Sequence, residues 1–276
     1  MRNWSPEQVR LAQALGLGPV WRVRGAGAPG AAAEPVSDEV GGAAGFDAAA
    51  ARLPADSLPD SAAPALAGVE TLDWDGLEQA VRGCTACGLC RTRTQTVFGV
   101  GSREARWMFV GEAPGAEEDA QGEPFVGQAG RLLDNMMAAA GLGRGRDDAS
   151  LHPPLHPPLH QDAVYIGNVI KCRPPGNRNP EADEVARCTP FLLRQIELLR
   201  PRILIAMGRF AAQTLLRTEG SIGSLRGRAH EFVRGDLRIP VVVTYHPAYL
   251  LRTPGDKAKA WEDLCLARRV YSEQSP

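Results

Sequence analysis

No run of about 18 apolar residues, the length that crosses a bilayer as a helix, occurs anywhere in the 276-residue sequence. The first residues also lack the charged-then-apolar order of a secretion signal. Both absences lead to the expectation of a cytoplasmic chain. Cysteine is scarce as well. Six cysteines in a chain of this length do not read as a disulfide framework; metal ligands or ordinary buried positions are better uses for them. No staple is needed, since one ample domain or two small ones would bury enough apolar surface to fold. A strong excess of one charge is missing too, with a formal net charge of -1. The charges are nevertheless uneven. Residues 1–75 hold 5 Lys+Arg and 10 Asp+Glu, so of the 31 and 32 in the whole chain the remainder keeps 26 and 22. That mildly basic remainder permits contact with nucleic acid without requiring it, because phosphate affinity depends on where charges sit.

Residues 5–15, Ser-Pro-Glu-Gln-Val-Arg-Leu-Ala-Gln-Ala-Leu, open with a cap residue and proline and repeat apolar residues at helical spacing. They predict a short amphipathic helix flanked by Trp4 and Trp21. Residues 1–24 are then either a segment docked on its own domain or a tethered peptide for a protein partner. Residues 25–70 are rich in Ala, Gly, Pro and Asp and almost free of aromatics. Such a stretch cannot bury enough to offset its ordering entropy and reads as a flexible linker. From residue 71 to 276 short apolar runs alternate with helical stretches, as in a parallel sheet covered by helices. The expected strands are Trp107 to Val110, Val164 to Val169, Ile203 to Met207 and Val241 to Thr244. The expected helices are Gly130 to Ala140, Pro180 to Leu199, Phe210 to Leu216 and Asp256 to Tyr271. Leu151 to His160 is a tandem Leu-His-Pro-Pro repeat. His152, His156 and His160 stand four apart, but the paired prolines forbid the helix that would make them a metal face, so a surface loop is expected.

Cys84 and Cys87 form a C-x2-C pair, and Cys172 and Cys188 make a second, wider pair. Two thiolates from a short loop and two brought by the fold complete a four-sulfur site. Spacing alone does not choose zinc over a cluster, and Cys188 also suits the buried face of its helix, with Cys172 incidental. Cys90 adds a fifth possible ligand, and Cys265 fits the core of the last helix.

Three segments carry unusual chemistry at expected strand ends or in loops beside them. Val110 to Asp119 breaks with Gly111, Pro114 and Gly115 and then concentrates carboxylates. Its glycines let backbone amides approach a ligand, although a solvated acidic turn has the same look. Phe125, between Pro124 and Val126-Gly127, sets an aromatic ring in a loop just before a helix, a position suited to stacking on a base. Tyr245 to Arg252 follows the last strand and joins His246 and a proline to Leu250, Leu251 and Arg252. A lone His at a strand end is more often structural, but leucines exposed beside an arginine suit a wedge entering a base stack.

Taken in order, Gly111 to Asp119, Phe125, Asn168 to Pro180, His246 to Arg252 and the four spaced cysteines resemble the family 4 uracil-DNA glycosylases, over roughly Leu77 to Tyr271. The first 70 residues and the histidine-proline repeat lie outside the resemblance. It implies a three-layer α/β/α fold with a central, mostly parallel four-stranded sheet. It also implies a structural [4Fe-4S] cluster on Cys84, Cys87, Cys172 and Cys188, with Cys90 left over. The implied activity is hydrolysis of the uracil-deoxyribose bond in single- or double-stranded DNA by a monomer, leaving an abasic site. The target nucleotide must be extruded from the duplex at a cost of a few kcal/mol. By the same resemblance Phe125 stacks on the extruded uracil, Asn168 reads its Watson-Crick edge, and Leu250 is the wedge, while Gly111, Ala113 and Arg252 complete the binding surface. His246 donates to uracil O2 as negative charge develops there. Other branches of the superfamily carry an acidic residue where Ala113 stands, so the water falls to a nearby carboxylate, with Glu118 favoured for it and Glu112 for organising the pocket.

Two other readings compete. One is the related branch that becomes covalently trapped on uracil-DNA, which carries a histidine-containing insertion after the Asn motif; Arg173 to Pro180 holds no histidine. The other is a non-catalytic DNA-binding or polymerase-associated iron-sulfur protein, which the presence of Phe125, Asn168 and His246 argues against.

Overall fold

The computed structural model describes residues 68–144 and 162–274. The helix expected over 5–15, nearly all of the linker and the histidine-proline repeat lie outside them. The first helix, α1 (Trp74–Arg82), is started by Asp73, whose carboxylate accepts the Gly76 amide at 2.8 Å. Strand β1 (Val100–Gly101) leads to β2 (Trp107–Gly111), then to the short α2 (Ala116–Gln121), α3 (Gln128–Ala139) and β3 (Leu142–Gly143). After residues 145–161, which lie outside the described ones, come β4 (Asp162–Asn168), the long α4 (Ala182–Leu199), β5 (Ile203–Met207), α5 (Arg209–Leu216) and the single-turn α6 (Ile222–Leu225). The chain finishes with β6 (Ala229–Arg234), β7 (Leu237–Thr244), α7 (Pro247–Arg252) and α8 (Lys257–Glu273).

The strands form one mixed sheet in the order β1-β4-β2-β5-β7-β6, with β3 pairing β4 beside this path. Inner neighbours β4, β2, β5 and β7 run parallel, while β1 and β6 pair antiparallel at the edges. The four strands expected from the sequence are these inner four. The sheet therefore has seven strands rather than four, and the three additional ones share a cause. β1 and β3 are two residues each, and β6 alternates around a single buried residue, Phe232. None of them makes the continuous apolar run that a strand covered on both faces requires. β2 and β5 do, with every residue buried.

Helices cover both faces, and β2 shows how. Met108 and Val110 pack on one side with Leu77 and Val81 of α1, Phe191, Leu192 and Ile196 of α4, and Ala211, Ala212 and Leu215 of α5. Trp107 and Phe109 pack on the other with Leu133 and Met137 of α3, Leu250 of α7, and Trp261 and Leu264 of α8. Alternation of side chains along a strand divides the core into two layers about a common sheet. Among the described residues no helix is long and apolar enough to cross a membrane. The four inner strands all end on one edge, at Gly111, Asn168, Met207 and Thr244, and in open α/β sheets that edge is where ligands bind.

Candidate active site

At that edge the ends of β2 and β4 pair directly, Gly111 opposite Asn168. A Cβ on Gly111 would lie 2.4 Å from Asn168 Oδ1 and 2.6 Å from Phe125 Cζ. The missing side chain is thus the space in which the phenyl ring and the carboxamide meet. Phe125 reaches it from a backbone with φ of 58°, a left-handed conformation that a bulky residue adopts at a cost and that recurs at functional sites. Gly130 makes the bend possible, since a Cβ there would sit 1.8 Å from the Phe125 carbonyl oxygen. Asn168 is 2% exposed, and its Oδ1 is buried without a hydrogen-bond partner. Leaving such an acceptor unpaired costs about 1–3 kcal/mol, so its persistence calls for a ligand that donates to it.

His246 closes the third side, its ring centroid 5.4 Å from that of Phe125 and tilted by 32°. It caps α7, with Nδ1 accepting the Ala248 amide at 3.2 Å. A ring whose Nδ1 accepts carries its proton on Nε2 when neutral, which leaves Nε2 as a donor. Burial, reinforced by the charge of Arg252, holds the imidazole at a pKa of about 4, so the ring is neutral at physiological pH. Gly208, at the end of β5 with φ of 89°, gives it room, since a Cβ there would lie 3.1 Å from the His246 Cβ. Phe125, Asn168 and His246 thus line a single cleft of about 620 Å³, together with Glu112, Ala113 and Arg252.

The two acidic candidates have different surroundings. Glu118 accepts the Gly115 amide at 3.0 Å through one carboxylate oxygen and the Val126 and Gly127 amides at 3.0 and 3.2 Å through the other. It braces the Phe125 loop, and both oxygens are occupied in doing so. Glu112 lines the cleft with its carboxyl raised above the usual carboxylate range by burial, against the opposing charge of Arg209. Leu250 does not stand where the sequence reading put it. It is 0% exposed and packs in the core with Phe109 and Trp261, so it has no surface to present to DNA. The helical turn of α7 directs it inward, and its neighbour Leu251 is the exposed one, at 40%.

The cysteines gather on the far side of β4 from α3. Cys84, Cys87, Cys90, Cys172 and Cys188 line one small cavity, with Arg93, Lys171 and Arg187 around them. Arg93 donates to Cys172 Sγ at 3.1 Å, and the Lys171 amide donates to Cys188 Sγ at 3.2 Å. Burial pushes the Cys87 and Cys172 thiols up and Cys188 to about 12. Among the described residues no group of three or more His, Cys, Asp or Glu is close enough to hold a single metal ion. A polynuclear cluster is wider than one ion and takes thiolates set further apart. Soft sulfur donors ringed by cations and N–H donors fit an anionic iron-sulfur group.

The family model described as uracil DNA glycosylase superfamily matches residues 98–265. The chain belongs to that superfamily. Among curated relatives, the type-4 uracil-DNA glycosylase of Archaeoglobus fulgidus is 40% identical over 184 residues, covering 65% of this chain and 84% of that one. The enzyme of the same type from Pyrobaculum aerophilum is 36% identical over 199 residues, 71% of this chain and 93% of its own. That from Saccharolobus solfataricus is 38% identical over 204 residues, 72% and 87%. The superfamily match includes Phe125, Asn168 and His246 but begins after Cys84 and Cys87.

Within this uracil-DNA glycosylase fold two side chains escaped the sequence reading. Lys171 is 1% exposed; its ammonium donates to the Asn168 carbonyl at 2.9 Å and to Gln195 Oε1 at 2.6 Å, and burial lowers its pKa to about 8. The one signal was a lysine inside the apolar run Val169-Ile170-Lys171-Cys172. Asp119, 4% exposed, accepts the Thr94 amide through both oxygens, at 2.9 and 3.0 Å. It joins the cysteine-bearing loop to α2, and nothing in its neighbourhood of carboxylates distinguished it.

Proposed function

We propose that this protein is a DNA repair glycosylase that takes uracil out of the base stack and hydrolyses its N-glycosidic bond, leaving an abasic site. The observation that carries the reading is the unpartnered Oδ1 of Asn168, buried against the ring of Phe125 in the slot that Gly111 leaves open. Uracil N3-H is a donor for that oxygen, and the amide nitrogen can donate to O4; cytosine presents mismatched groups at both positions. Phe125 stacks on the extruded ring. The Nε2 proton of neutral His246 meets uracil O2, where negative charge grows as the bond breaks, and one such donor is worth about 3–4 kcal/mol.

Of the two carboxylates, Glu112 suits the water better, reversing the roles expected from the sequence. Both line the cleft, but Glu118 spends both oxygens on backbone amides, whereas burial holds the Glu112 carboxyl above the usual carboxylate range, which favours a general base. Ala113 and Arg252 line the remaining walls, Gly111 keeps open the space between Phe125 and Asn168, and Leu251 takes over the wedge from the buried Leu250. Cys84, Cys87, Cys172 and Cys188 are the ligands we assign to a [4Fe-4S] cluster, which pins loops and takes no part in bond cleavage. The type-4 names of the relatives support this assignment.

The test is incubation with uracil-containing single- and double-stranded oligonucleotides followed by alkali, which should give breaks at the uracil. His246→Ala and Asn168→Ala should each lose about 10²- to 10³-fold in rate with the fold retained. An absence of breaks from either substrate, or near-normal rates in both variants, would refute the assignment. No stable protein-DNA adduct is expected on a denaturing gel.

A further inference from the structure

The cleft is far roomier than one pyrimidine ring, and its wall includes two tyrosines for which uracil binding has no use. Tyr245 and Tyr249 stack on each other, centroids 4.9 Å apart at 22°, and both line the cleft and are half-buried. Their placement follows from local structure. Tyr245 precedes His246, and Tyr249 lies one turn further along α7, so the helix cap that orients the imidazole also orients the pair.

The pair is held rigidly. The Tyr249 hydroxyl donates to Asp256 at 2.6 Å, and Asp256 is paired with Lys259 at 2.7 Å. The guanidinium of Arg226 lies 5.5 Å from the Tyr245 ring centroid and is fixed by Asp263, at 3.0 and 3.1 Å, and by the Lys259 carbonyl at 2.6 Å. An aromatic surface already ordered before binding loses little entropy on binding. Every nucleobase has a π-face to lay on such a surface, and Arg178, Arg209 and Arg252 line the same cleft where a sugar-phosphate chain would pass.

We propose that Tyr249, backed by Tyr245, presents a second stacking bed, for the base of a nucleotide adjoining the excised one on the same strand. The inference rests on the uracil-excision reading and extends it from a one-base slot to a site that holds a short piece of single strand. Stacking of this kind tolerates any base, so it contributes affinity without sequence preference.

The experiment compares kcat/KM for single-stranded oligonucleotides in which the nucleotide on either side of uracil carries its base or is a baseless spacer. Wild-type protein should lose about tenfold, mostly through KM, when the spacer occupies the flank that uses the bed. Tyr249→Leu should lose about as much on the intact strand and nothing further with the spacer, while Tyr249→Phe, which keeps the ring, should stay near wild type. If Tyr249→Leu does not fold, 2-aminopurine placed at each flank of a non-cleavable 2′-fluoro uracil strand gives a second reading on wild type, and its fluorescence should be quenched on binding. Indifference of the wild type to both spacers, a spacer penalty undiminished in Tyr249→Leu, or unquenched 2-aminopurine at both flanks overturns the bed while leaving uracil excision intact. Failure of the wild type to excise uracil from the intact strand overturns both.

Discussion

The protonation of His246 governs both its chemistry and part of the pH response of the fold. An unfolded histidine takes its proton near pH 6.5, whereas His246 in the folded protein waits until about 4. Between those values the unfolded chain binds more protons, so stability that is complete above about 6.5 declines as pH falls toward about 4. Thermal melts at about pH 7 and about pH 4.5 should therefore differ less in His246→Gln than in the wild type. An equal or larger difference in the variant would show that the ring is not held neutral. In the same window His246 should cause no loss of excision rate, and an acid limb above the ordinary carboxylate range is expected from Glu112, whose carboxyl is raised by burial. That limb should vanish in Glu112→Gln, whose remaining slow rate becomes flat with pH. Gly111→Ala is the steric counterpart. Its methyl would stand 2.4 Å from Asn168 Oδ1 and 2.6 Å from the Phe125 ring, so excision and binding of free uracil should both fall by more than about tenfold, since one of those groups must leave its place.

At the scale of elements, α2 and the loop after it show how a short helix becomes a tool. Six residues do not sustain a helix alone, and Glu118 compensates by tying α2 to the Val126 and Gly127 amides of the Phe125 loop. Glu118→Gln removes a charged acceptor from three amides, a loss of about 1.5–3 kcal/mol, and should lower the melting temperature and raise KM more than it lowers kcat. A fall in kcat alone would return the water to Glu118. The sequence showed that a carboxylate-rich segment follows β2, but which oxygen faces solvent and which faces an amide depends on how the chain folds back from Gly130. The same limit applies to α7. The motif from Tyr245 to Arg252 was legible, yet Leu250 and Leu251 differ only in helical phase, and the phase was set by the His246 cap. The inner strands were legible because burial on both faces writes a continuous apolar run. The edge strands β1, β3 and β6 were not, because short or one-sided pairing leaves no such trace.

Across the whole molecule the chain that leaves β4 borders both sites, the cleft through Asn168 and Pro174 and the cysteine cavity through Lys171 and Cys172. Replacing Cys84 or Cys188 by alanine should abolish the brown visible absorption and the iron content together, whereas Cys90→Ala should keep both. Zinc in place of iron and sulfide, found by elemental analysis of the wild type, would overturn the cluster assignment. That four cysteines share a site was readable from their spacing and family resemblance; that Lys171 stands between the site and Asn168 was not, because a buried lysine is recognisable only when its partners are known.

Three hydrogen bonds make the cysteine loop and the cleft mechanically one. The Val97 amide donates to the Lys171 carbonyl at 2.8 Å, the Thr94 amide donates to Asp119, and the Lys171 ammonium holds the Asn168 carbonyl. A disturbance that loosens the loop from 84 to 97 is therefore felt at both walls of the cleft simultaneously. On the cluster assignment proposed above, deuterium uptake at Thr94 and Val97 should rise in step when iron is stripped, and the grip on the extruded base should weaken with it.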